Sequence, residues 1–99
     1  MTIKVRRSSG NVFHDLGFSR EEAENLKIRT DLMIRLSKLI ETRGLTQVQA
    51  AKLFGVSQPR VSDLVRGKIG RFSIDTLVAM FGHAGIRVRF TTKRIARVA

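Results

Sequence analysis

Cysteine, tryptophan and tyrosine are all missing from this 99-residue chain, and there is a single proline. Without cysteine there is no disulfide framework and no thiolate chemistry, a usage that suits a reducing cytoplasm. Phenylalanine, present six times, is the only aromatic type, so a stacking platform for single-stranded nucleic acid is poorly supplied. No apolar run approaches the ~20 residues that span a bilayer. The opening MTIKVRRSSG also lacks the apolar stretch of a secretory signal, and a soluble, uncleaved, cytoplasmic protein is expected. The two histidines, His14 and His83, have no companion spacing of the kind a metal site needs. No glycine-rich phosphate loop, paired carboxylates or nucleophile elbow is visible, so neither enzymatic activity nor a cofactor is expected.

Acidic residues are scarce as well. Eight Asp and Glu face nineteen Lys and Arg, for a formal net charge of +11, which predicts association with a polyanion at ordinary salt. The scarcity is uneven: Asp15, Glu21, Glu22, Glu24 and Asp31 lie in the front third, and from residue 32 onward thirteen bases meet three acids. The bulk of the chain is a cation whose front segment is not. A basic amphipathic helix with an aromatic apolar face, which would suit a membrane surface, is also lacking. Duplex DNA leads among the polyanions before any motif is considered.

The chain is long enough for one domain with tails and a small core. Residues 1–10 read as a flexible or edge-strand tail that breaks at Ser8, Ser9 and Gly10. NVFHDLG suits one helical turn from Asn11 to Gly17, with Val12, Phe13 and Leu16 toward the core. SREE then makes Ser19 an N-cap with Glu22 at N3, a reciprocal capping box with Phe18 before it as a staple. The apolar stripe Leu26, Met33, Leu36 and Ile40, with Leu32 and Leu39 beside it, runs to Gly44. It is one helix or two joined near Thr30, where Asp31 can cap a second start. Thr46 caps a short helix with Ala50, Ala51, Leu53 and Phe54 as packing residues. Ser57 caps the next, with Pro59 in its first turn where a missing amide proton is harmless, and with Val61, Leu64 and Val65 as its inward stripe. Ser73 caps a further helix that packs Ile74, Leu77, Val78 and Phe81 inward and carries Asp75 in its first turn. IRVRF then alternates Ile86, Val88 and Phe90 with arginines, the period of a strand. Residues 91–99 form a basic tail.

Two helices joined by a short turn containing glycine form a helix-turn-helix, whose second member can lie in the major groove while the first braces it. LTQVQAAKLFGVSQPRVSDLVRG has that form. Ala51 is small where the helices cross, Gly55 permits the sharp turn, and Val56, Val61 and Leu64 lock the pair to the core. Ser57, Gln58, Arg60, Ser62, Asp63 and Arg66 make the outward face of the second helix. It is a hydrogen-bonding face, and Gln and Arg can make bidentate contacts with adenine and guanine edges.

The stretch resembles the phage-repressor-like (Xre or Cro type) helix-turn-helix family at TQ, AA, G-V-S and VS-x-L-x-x-G. That resemblance implies a mainly α fold, a lambda-repressor-like bundle of about five helices over residues 11–85, with a short C-terminal β-strand at 86–90 used in dimerisation. It implies base reading by Ser57, Gln58, Arg60, Ser62 and Asp63. Gln47 is then a phosphate clamp that also braces Gln58, and Arg66, Lys68 and Arg71 hold the backbone. Pro59 departs from the polar residue usual there and removes one possible contact. Asp63 either accepts from cytosine or orients Arg60 or Arg66.

F-x-DLGF, E-A-x-x-LK-x-R and G-K-x-x-RFS-x-x-TL extend the resemblance over most of residues 11–90, to the HigA-type antitoxin group. This implies a repressor of its own operon that also neutralises a RelE-like ribonuclease toxin. The acidic front would complement a basic toxin, although acids in a first helical turn also stabilise the helix dipole; Val12, Phe13, Leu16 and Phe18 are expected in the core, the alternative being a contact with the toxin. Inverted operator half-sites call for a homodimer. Its expected seam is Ile86, Val88 and Phe90 pairing with their copy, the alternative being intrachain pairing with the N-terminal TIKVR. A free-standing regulator without a toxin, and a toxin-binding inhibitor that reads no DNA, are the other open functional readings.

Overall fold

The computed structural model describes residues 1–6 and 12–94. Its elements run β1 (Thr2–Arg6), α1 (Val12–Asp15), α2 (Arg20–Thr42), α3 (Gln47–Phe54), α4 (Gln58–Val65), a 3-10 turn (Ile69–Arg71), α5 (Ile74–His83) and β2 (Arg87–Thr91). The break at Ser8–Gly10, the Asn11 cap and residues 95–99 of the basic tail lie outside the described residues. The architecture is thus mainly helical: four full helices, the single turn α1, a 3-10 turn and a two-stranded sheet. No helix among the described residues is long and apolar enough to cross a membrane.

α2 is one helix of 23 residues, without an interruption at Thr30. Ile28, Leu32, Leu36 and Ile40, each four residues from the last, all lie in the core, and that continuous stripe holds the helix straight through KIRTD. Leu26, expected inward, is only half-buried, with Ile28 in its place. Asp31 caps nothing and pairs instead with Lys27, one turn back, at 3.5 Å. Burying a leucine side chain contributes about 1.5–3 kcal/mol, and Leu32, Leu36, Leu64 and Leu77 are all fully enclosed. Glu24 continues the stripe one turn earlier. It is 7% exposed, and its Oε2 has no hydrogen-bond partner.

The front of the chain departs from expectation. Val12 and Leu16 are 63% and 69% exposed, and Phe18 is exposed too; a helix of one turn cannot direct several side chains inward at once. Phe13 is half-buried and meets the Phe18 ring edge to face at 6.2 Å. At Ser19 the hydroxyl accepts from the Glu22 amide, whereas the complete reciprocal box stands at Thr46 and Gln49.

β1 and β2 pair in parallel, with Ile3 opposite Val88 and Val5 opposite Phe90. A parallel pair needs a long crossover, here the helical body itself. The partner of β2 is therefore the N-terminal strand of the same chain, rather than only a second copy as the expected seam required. The pairing lets Val5 enter the core beside Ile86. β2 also begins one residue later than expected. Ile86 is buried ahead of it, its amide bonded to the Phe81 carbonyl, while Val88 is half-buried and Phe90 exposed.

Candidate nucleic-acid interface

α3 starts at a capping box in which the Thr46 hydroxyl accepts from the Gln49 amide and the Gln49 side chain accepts from the Thr46 amide. Ala50 and Ala51 are buried where α3 meets α4. Gly55 ends α3 at φ +67°, and its amide donates to the Ala51 carbonyl. A Cβ on Gly55 would sit 2.6 Å from the His83 ring, whose Nδ1 donates to the Leu53 carbonyl at 3.1 Å. The turn thus needs glycine twice, for its left-handed backbone and for the imidazole laid over it. That second requirement comes from His83 of α5, far along the chain, and no local pattern announces it.

Ser57 caps α4, and Pro59 lies in the first turn. Val61 and Leu64 are wholly buried. Val65, expected on the same stripe, is 45% exposed, because it falls about 100° beyond Leu64 around a helix of 3.6 residues per turn. Ser57, Gln58, Pro59 and Arg66 are exposed, and Ser62, Asp63 and Arg60 half-buried. Gln47 is half-buried at the start of α3. Among the described residues no hydrogen bond joins it to Gln58.

Two of the expected base readers are engaged elsewhere. Arg60 turns back along α4: its Nη1 donates to the Arg71 carbonyl at 2.7 Å, and its guanidinium carbon lies 5.3 Å from the centre of the Phe72 ring, within cation–π range. Asp63 is 19% exposed on its side chain and faces Lys68 at 3.5 Å and Arg71 at 3.7 Å. It orients neither Arg60 nor Arg66, the two partners expected for it. Both residues serve the segment after α4.

A residue that sequence reasoning passed over serves it too. Arg29 of α2 donates through Nη1 to the carbonyls of Ile69 and Phe72, at 3.0 and 3.2 Å, while its Nε donates to the Asn25 side chain. Its place beside Ile28 on the buried stripe was the available signal, since an arginine flanking a core position bonds inward wherever a carbonyl is in reach. Phe72, 2% exposed, anchors the segment from within.

The surface assembled here is a wedge. Along residues 45–71 five bases, Lys52, Arg60, Arg66, Lys68 and Arg71, face one acid, Asp63, and Arg66 has no ion-pair partner among the described residues. The polar N-terminal end of α4 projects beside that charge. Among the described residues no group of three or more His, Cys, Asp or Glu is placed to hold a metal ion.

Comparison with known families gives a match to a helix-turn-helix domain over residues 12–93. No curated protein matches the chain.

Proposed function

The chain belongs to the helix-turn-helix domain family, and from that premise we propose that it is a sequence-specific transcriptional repressor that binds double-stranded DNA as a homodimer. Family membership itself implies DNA binding and a role in transcriptional regulation. The observation that carries the finer reading is the division of α4. Val61 and Leu64 anchor one side in the core, while Ser57, Gln58, Ser62 and Arg66 face away from it beside an unbalanced positive charge. In this reading Ser57, Gln58 and Ser62 meet base edges, and Gln47, Arg66, Lys68 and Arg71 meet phosphates. Two-fold operators require two-fold proteins, which is the ground for a homodimer.

The test is a salt titration of binding to a duplex selected by the protein from a randomised library. Each neutralised phosphate adds about −0.9 to the slope of log K against log salt, so the three cationic contacts per protomer, Arg66, Lys68 and Arg71, predict a slope of about −3 per protomer. A slope near zero would exclude the phosphate contacts.

A second activity, neutralisation of a basic ribonuclease toxin, is supported by the resemblance to HigA-type antitoxins and by the front of the molecule. Val12, Leu16 and Phe18 are exposed next to Asp15, Glu21 and Glu22. An apolar patch rimmed by acids on a chain of charge +11 suits a basic protein with an apolar contact. If a ribonuclease is encoded beside this gene, Leu16→Asp should abolish its inhibition while leaving DNA binding intact. Inhibition that survives the change would remove this surface from the contact, and a neighbouring gene of another kind would favour a free-standing regulator.

A further inference from the structure

The segment Lys68–Phe72 is held by three side chains from the two helices it packs against, one from α2 and two from α4. Arg29 bonds its carbonyls at Ile69 and Phe72 from α2. Arg60 bonds its carbonyl at Arg71 and covers the Phe72 ring from α4. Asp63 holds its two cations, Lys68 and Arg71. With Phe72 buried as the anchor, little freedom remains in a segment of five residues. A surface turn with exposed Lys and Arg would ordinarily be loose, and ordering it on binding would weaken association.

We infer that Lys68–Phe72 is a preset phosphodiester-binding turn, and that Arg60 and Arg29 are positioning residues that act through it rather than readers of bases. This rests on the proposed binding of duplex DNA by α4. Arg60 spends Nη1 on the Arg71 carbonyl and lays its guanidinium on the Phe72 ring, which leaves base discrimination to Ser57, Gln58 and Ser62. Asp63 completes the device. Its two carboxylate oxygens hold Lys68 and Arg71, one each, and a backbone phosphodiester, which carries the same single charge on two free oxygens, can take both cations over without the backbone moving.

A residue that acts through others loses its effect when the others are removed, and a double-mutant cycle reads this directly. The probes are a duplex selected by the wild-type protein from a randomised library and a scrambled duplex of equal length. Arg60→Ala should weaken binding to both alike, by about ten-fold, as expected within one interacting network. It should lower the salt slope by about one to two, the share of the phosphate contacts it positions. In a Lys68→Ala/Arg71→Ala background the same change should cost less than about two-fold. Arg60→Lys, which can still donate to the Arg71 carbonyl, should recover most of the loss and serves in place of the alanine variant if that fails to fold. A full ten-fold cost in both backgrounds, or a loss confined to the selected duplex with altered preference at one base pair, would overturn the inference. A wild-type protein that selects no duplex would instead overturn the DNA-binding reading beneath it.

Discussion

Replacing Gly55 by alanine puts the joint between α3 and α4 under the most direct stress. Two costs add. At φ +67° and ψ 34°, a Cβ crowds the backbone by about 1–2 kcal/mol. That atom would also lie 2.6 Å from the His83 ring, so the imidazole must swing out and give up its bond to the Leu53 carbonyl, a net loss of about 0.5–1.5 kcal/mol. Together they come to about 1.5–3.5 kcal/mol, a large part of the ~5–15 kcal/mol that holds a typical domain. Urea unfolding of four proteins, wild type, each single variant and the double variant with His83→Ala, separates the two costs. Without the ring, Gly55→Ala should cost only its backbone share, about 1–2 kcal/mol, so the two changes should couple by about 1 kcal/mol. An equal cost in both backgrounds would refute the claim that His83 closes over the turn, and a cost below about 0.5 kcal/mol in the wild type would refute both causes.

Three further outcomes follow from the packing. Glu24→Leu should raise stability by about 1–3 kcal/mol in the same unfolding assay, since it removes a buried carboxylate oxygen that has no partner; destabilisation would mean the carboxylate is satisfied in solution. Val61→Ala should cost about 2 kcal/mol through lost burial and a residual cavity, whereas Val65→Ala should cost under about 0.5 kcal/mol; similar losses would contradict the exposure of Val65. Thr46→Ala, which removes the hydroxyl half of the capping box and keeps the backbone amide that the Gln49 side chain accepts from, should lower stability by about 1 kcal/mol and should weaken DNA binding less than it weakens folding.

The helix pair was legible because each of its constraints is local. Thr46, Gly55 and Ser57 are stop and start signals read from neighbours in the chain, and Ala51, Val61 and Leu64 follow from helical spacing. What could not be read depends on contacts between distant residues. Arg60 has the side chain of a base reader, and only the Arg71 carbonyl and the Phe72 ring, brought alongside by the chain reversal after α4, redirect it. Arg29 acts forty residues from its targets. The strand IRVRF showed an apolar face and a need for a partner, but its period says nothing about whether that partner belongs to the same chain; β1 supplies it in parallel. Val12, Leu16 and Phe18 have core-like composition, yet α1 is too short to bury them. Glu24 lies on the buried stripe of α2 by spacing alone, where composition would have placed it in water.

Whether the exposed end of α4 reads base sequence is most directly tested at Gln58, which is exposed and has no hydrogen-bond partner within the chain among the described residues. Affinities of wild type and Gln58→Ala would be compared on the selected duplex and on its scrambled counterpart at one salt concentration. A loss of about 1–3 kcal/mol on the selected duplex alone, with preference relaxed at one or two base pairs, is the result expected of a helix seated in the major groove. Unchanged affinity, or the same loss on both duplexes, would contradict it.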